Sequence, residues 1–280
     1  MIKRTGLTRI DLVVAVACVV FVLANVPVIV AGGRGRAKLE VCMANLRALT
    51  VAWSMYADAN EDKIVNGAAN FSIATECKAV APTTGFNANE LPWVGNCVHW
   101  AYATGMLLPE ACQIAAIEKG ALWPYLKDIG LYKCPTGHRG AMLTYSIVDS
   151  MNGYGDGRSA ASKARIVKVR TQIRNASDRI VFVDVGGVTP DSYAVYYDTV
   201  RDTWWDSPMV RHSDGATFSF ADGHSEYWKW KGKETVEIAK RQDKMHTNNE
   251  PARTADGKRD LYRVQKAVWG KLGYPPSVPP

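Results

Sequence analysis

The chain has 280 residues, a formal net charge of +7 and six cysteines. The charge is unevenly spread: residues 1–6 carry two cations, residues 231–280 carry eleven Lys/Arg against six Asp/Glu, and the stretch between them is neutral overall. This excludes a uniformly basic nucleic-acid-binding surface, so no nucleic-acid partner is expected, and the length suits one head domain without repeats.

The chain opens with a short basic leader, Lys3 and Arg4, that ends at Gly6. Residues 12–31 then carry no formal charge. As a helix they would rise about 30 Å, enough for the hydrocarbon core of a bilayer. With Lys3, Arg4 and Arg9 before it, this stretch predicts a single pass through the inner membrane, the N-terminus cytoplasmic and the head periplasmic. Asp11 is the exception in this region. A carboxylate at the edge of hydrocarbon needs a cation. Cleavage after Gly6 would create one, the free α-amine of Leu7, which a neighbouring subunit could present to Asp11.

The run Gly6-Leu7-Thr8-Arg9-Ile10-Asp11-Leu12 resembles the class III signal of type IV pilins and type II secretion pseudopilins. Family members usually have Phe where Leu7 stands and Glu where Asp11 stands. The resemblance implies a prepilin peptidase that cuts after Gly6, methylation at Leu7, an inner-membrane assembly machinery and self-association into a filament or secretion pseudopilus through the apolar helix. The implied fold class is α+β, pilin-like: a long N-terminal helix packed on an antiparallel β-sheet head.

Gly32, Gly33 and Gly35 follow, interspersed with Arg34 and Arg36. Each glycine lowers helix propensity by about 1 kcal/mol, which predicts a joint or a locally melted turn. An amphipathic helix over 37–58 comes next, with Leu39, Cys42, Leu46, Leu49, Trp53 and Tyr56 on one stripe. Asp58-Ala-Asn60-Glu-Asp62 begins like a calcium loop, but Lys63 and Ala69 occupy the positions that need glycine and glutamate. A helix terminus is the better reading, and no cofactor is expected; calcium has no matched motif. Residues 66–105 are rich in Asn, Gly, Ala and Thr and predict a loop-rich insertion.

A short helix is expected over 114–126, and strands over 142–148, 166–169 and 179–184. The clearest hairpin spans 216–228, where Asp222-Gly223 supplies a two-residue turn between alternating residues. The head thus extends over 32–232. Residues 233–280 form a basic tail with helical stretches, which wraps the head or stays mobile.

Five cysteines, Cys42, Cys77, Cys97, Cys112 and Cys134, follow the apolar stretch and are disulfide candidates, with at least one left over. Their spacing is wide and contains no Cys-x-x-Cys, so no zinc site is expected and any metal stays unknown. His212, Asp222, Gly223 and His224 lie near Trp204-Trp205-Asp206 in the densest polar and aromatic cluster of the chain. Structural hydrogen bonding is favoured there over catalysis, because Ser213 and Ser219, the serines at hand, carry no nucleophile motif. The run from Arg211-His212 to Asp222-Gly223-His224 resembles the His-x9-Asp-Gly signature of prepilin-type proteins in Planctomycetes and Verrucomicrobia. Cys42-Met-Ala-Asn45-Leu46-Arg47, Tyr132-x-Cys134-Pro135 and Trp205-Asp206-x-Pro208 are similar to the same family. No enzymatic activity follows from that resemblance. The competing expectation is a membrane-tethered glycan-binding or hydrolytic head, with tryptophans 204, 205, 228 and 230 as a stacking face.

Overall fold

The structure, a computed structural model, describes residues 9–68, 90–95, 108–153, 159–186, 192–245 and 249–279; for 9–13, 15–32 and 242–245 it describes the backbone alone. Gly6 and Leu7 lie outside the described residues, as does the side chain of Asp11, and so does most of the insertion over 66–105.

Helix α1 (Arg9–Ala59) is one unbroken element. It runs through the three glycines, where a joint was expected. Glycine costs helix propensity but keeps its N–H, so the i→i−4 ladder continues, and the Cβ positions of Gly33 and Gly35 face open space. Of the predicted stripe, Cys42, Leu46, Leu49 and Trp53 are inaccessible to solvent, together with Ala57, while Leu39 and Tyr56 at its ends are half-buried.

The inner-membrane placement is corrected. Among the described residues no helix is long and apolar enough to cross a membrane. Apart from Val14, the described side chains of α1 begin at residue 33, and the first two turns from there bear Arg34, Arg36, Lys38 and Glu40, charges that a bilayer core does not accommodate.

A four-stranded antiparallel sheet packs on α1, in the order β1 (Tyr145–Ile147), β2 (Ile180–Asp184), β4 (Gly215–Phe220), β5 (Ser225–Lys229). A small separate ribbon pairs β3 (Thr203–Trp204) with β6 (Glu250–Pro251). The molecule is α+β with an antiparallel sheet. The register sets the site. Tyr145 pairs with Asp184 and Phe182 with Ser219, so these side chains share one face. That face meets α1: Thr50 Oγ1 donates to Ser219 Oγ at 2.7 Å, and Ser225 Oγ donates to the Met43 carbonyl at 3.1 Å.

The hairpin turn has three residues, Ala221–Gly223, rather than two. Phe220 N–H donates to the His224 carbonyl at 3.0 Å, and Gly223 takes φ +98°, the left-handed position that such a loop requires. The expected helix over 114–126 is split into α2 (Glu110–Glu118) and a single turn, Trp123–Leu126. At the break, position 120 must be glycine, because a Cβ there would lie 2.2 Å from the Trp93 carbonyl. Residues 166–169 make only isolated bridges, Val167 with Met151 and Val169 with Lys63. At the end of α1, Asp58 and Asp62 bind Arg170, at 2.6 and 2.8 Å.

The other face of the sheet is covered by the C-terminal segment. Helices α3 (Lys233–Met245) and α4 (Ala255–Trp269) follow the last strand of the sheet, and Leu261, Val264, Val268 and Trp269 join the same core as Phe218, Phe220 and Trp228. Residues 255–269, set apart from the head in the sequence reading, form its third layer.

Candidate metal centre

Four side chains from four separate elements meet beneath α1. Cys42 comes from the buried stripe of the helix, Cys134 from the turn before Pro135, Asp184 from the last position of β2, and His212 from the loop leading into β4. Their Sγ, Sγ, carboxylate and ring-nitrogen atoms all lie within 4.8 Å of one another, and all four residues are buried. The Cys42 thiol donates to Asp184 Oδ2 at 3.2 Å. Cys134 Sγ lies 3.3 Å from His212 Nε2, which in turn lies 3.7 Å from Asp184 Oδ2.

Local structure explains each placement. A residue on the stripe of α1 must face the sheet, and Cys42 falls over Asp184 and Thr217, two inward positions on β2 and β4. Thr144 Oγ1 accepts from the Cys134 N–H at 2.6 Å and fixes that turn. His212 is directed inward by a tight reversal: Ser213 takes φ +64°, and the Arg211 N–H donates to the Gly215 carbonyl at 2.9 Å.

Outside the four lies a ring of donors. Tyr145 OH donates to Cys42 Sγ at 3.5 Å, and Thr217 Oγ1 is 3.1 Å from the same sulfur. The Thr136 N–H donates to Cys134 Sγ at 3.4 Å, with its hydroxyl at 3.1 Å. The Gly186 N–H occupies Asp184 Oδ1 at 3.0 Å and leaves Oδ2 for the cluster.

The electrostatics separate the two thiols. The hydrogen bond with Cys134, burial and the Asp184 charge together push the Cys42 thiol far up. The same bond with Cys42, aided by His212, outweighs burial at Cys134 and lowers it to about 7. Burial pulls His212 down, but hydrogen bonds to Asp184 and Cys134 prevail and raise it to about 9. The pocket therefore favours a thiolate at Cys134 beside a hydrogen-bonded imidazole.

The expected site residues divide. His212 enters the cluster, whereas Asp222, Gly223 and His224 sit at the opposite end of β4. There His224 Nδ1 pairs with Asp222 Oδ1 at 2.6 Å and its ring stacks on Phe220 at 4.4 Å. Ser219 is bound to Thr50. Of the disulfide candidates, Cys42 and Cys134 are free thiols, which corrects that expectation for both: each faces a carboxylate or an imidazole. Cys112 is disulfide-bonded, to a cysteine whose side chain is not among those described. Cys77 and Cys97 lie outside the described residues. Trp204, Trp228 and Trp230 are core residues, and Trp205 packs against Tyr196 with the rings tilted and their centroids 4.7 Å apart, so the four do not form an open stacking face.

Sequence reasoning missed Asp184 and the meeting of the two cysteines. Three of the four residues stood in motifs already singled out, the Cys42, Cys134 and His212 runs, but only the fold shows that those motifs point at one place. No family model, no curated protein and no solved structure matches the chain.

Proposed function

We propose that the chain is a structural subunit of a pilin-like or pseudopilin filament, cut after Gly6 by a prepilin peptidase and assembled through α1. The observation that carries this reading is the two-sidedness of α1. Its inner stripe is spent on the head. On the opposite face Val41, Val51 and Met55 remain 48, 53 and 45 % exposed, with the small side chains of exposed Ala44 and half-buried Ala48 between them. The positions 41, 44, 48, 51 and 55 alternate steps of three and four, the spacing of a helix seam, and a second copy of α1 is the partner of matching shape. In this reading Asp11 receives the new amine of Leu7 from a neighbour and sets the axial register.

The pair Val51→Asp and Met55→Asp tests it. Two charges buried in the seam should lower filament yield about tenfold or more, while the head, whose core neither residue enters, keeps its thermal transition. Electron microscopy of sheared filaments and sedimentation read the outcome. Unchanged filament yield in that variant, together with unchanged yield for Asp11→Ala, would overturn the proposal.

A further inference from the structure

We propose that Cys42, Cys134, Asp184 and His212 bind a zinc ion that fastens α1 to the sheet. This site is independent of the filament reading, since it concerns the interior of one subunit.

The argument begins with geometry. In a tetrahedral zinc site, bonds of about 2.3 Å to sulfur and about 2.0 Å to nitrogen or oxygen make the ligand-to-ligand edges about 3.3 to 3.8 Å. The edges here are 3.2 Å for Cys42 Sγ to Asp184 Oδ2, 3.3 Å for Cys134 Sγ to His212 Nε2, and 3.7 Å for His212 Nε2 to Asp184 Oδ2. The remaining edges stay within 4.8 Å. Four donors converging from α1, a turn, a strand end and a loop therefore already stand at nearly the separations of a coordination sphere.

The donor set selects the metal. Two sulfurs, one imidazole nitrogen and one carboxylate oxygen suit zinc, whereas calcium and magnesium prefer all-oxygen shells. With four protein ligands and full burial the site is closed, which makes it structural rather than hydrolytic.

Charge and hydrogen bonding agree. Binding requires both sulfurs as thiolates, a carboxylate oxygen and the Nε2 lone pair of a neutral imidazole, so the Cys42 thiol and the His212 ring release their protons to solvent, as does whatever fraction of Cys134 remains a thiol. The assembled centre carries one net negative charge, and the surrounding donors match it. Tyr145 and Thr217 hydroxyls serve Cys42, the Thr136 N–H serves Cys134, and the Gly186 N–H serves the far oxygen of Asp184. Outer donors of this kind orient ligands and stabilise thiolate charge. A disulfide between Cys42 and Cys134 is the competing chemistry. It would turn both sulfurs into a neutral bridge and remove two of the four ligands, while Asp184 would keep His212 and the Gly186 N–H beside it, so the native state of the two sulfurs decides between the two chemistries.

The test uses the full chain, purified under reducing conditions without added metal. Elemental analysis should find zinc near one equivalent per chain. Chelation should lower the melting temperature, and added zinc should restore it. Cobalt added to the stripped protein should give the visible bands of a tetrahedral ion with sulfur-to-cobalt charge transfer. Cys134→Ser and Asp184→Asn should each weaken zinc binding at least about tenfold. The proposal is overturned if the reduced wild-type chain takes up neither zinc nor cobalt, if the Cys42→Ser, Cys134→Ser double variant binds as tightly as wild type, or if peptide mapping finds a Cys42–Cys134 disulfide in zinc-free native protein. The wild-type measurements decide the matter even where a variant fails to fold.

Discussion

At the scale of single residues, α1 shows how one helix serves two surfaces. Leu46 is fully buried between α1 and the sheet, whereas Val51, little more than a turn further on, is 53 % exposed. Both are apolar, so hydropathy alone does not distinguish them; their place around the helix does. Truncation separates them. Leu46→Ala removes buried methyl groups and leaves a cavity, which should destabilise the head by about 2–5 kcal/mol. Val51→Ala removes surface that water already reaches and should change stability by no more than about 0.5 kcal/mol. Urea unfolding followed by tryptophan fluorescence measures both. Equal effects at the two positions would mean that the inner and outer stripes are misassigned.

At the scale of elements, the C-terminal helices owe their position to hydrogen-bonded carboxylates as much as to the apolar face of α4. Thr254 caps α4, its Oγ1 accepting from the Gly257 N–H at 3.1 Å. Glu234, from the first turn of α3, accepts from the backbone N–H groups of Arg253 and Thr254. Asp202 accepts from Tyr262 and Ser277 and pairs with Lys258 at 2.9 Å. Burial pushes both carboxyls up, but these donors outweigh it and hold both below their ordinary ranges. A depressed carboxyl stabilises the fold above its unfolded value, and that contribution is lost as pH falls through the folded value. Stability should therefore be level near neutrality and decline below about pH 4, where the unfolded carboxyls begin to protonate. Thermal melts across an acid series check this. Glu234→Gln should flatten part of the decline, and an unaltered acid slope in that variant would remove Glu234 from the account.

Elements were legible where the signal is local. The stripe from Cys42 to Trp53, the strand at 180–184 and the hairpin around Gly223 each carry their own period or turn residue, and each stands close to where the pattern put it. The continuity of α1 was not legible, because glycine propensity is a weak bias that an intact hydrogen-bond ladder overrides. The buried cluster was less legible still. Cys42 and Asp184 are 142 residues apart, and Cys134 and His212 are 78 apart. Close spacing in sequence marks metal sites carried by one loop or hairpin; here the sheet register and the rotation of α1 do the gathering, and neither is written in any short motif.

At the scale of the molecule, the sheet is a middle layer. Tyr145, Phe182, Asp184 and Ser219 face α1, while Phe218 and Trp228 face away from it. A sheet with apolar residues on both faces cannot stand with only one face covered. The second cover is the segment that composition marks as basic and tail-like. In and just beyond α4, Arg263, Lys266 and Lys271 lie on the outside, and Leu261, Val264, Val268 and Trp269 lie on the inside. Trp269 also donates from its ring N–H to the Val195 carbonyl at 3.1 Å, and the Val268 carbonyl accepts from Arg179 Nη2 at 2.9 Å. Removing residues 254–280 should therefore do more than shorten the chain. It would expose the large aromatic side chains of the outward face and leave the buried Arg179 guanidinium without that acceptor, a loss comparable to the whole stability of a small domain. The truncated protein should bind a hydrophobic dye, lose its cooperative thermal transition and aggregate at concentrations where the full chain stays dispersed. If the shortened chain instead melted at the temperature of the full one, the C-terminal helix would be an appendage, and the three-layer description of this fold would fail.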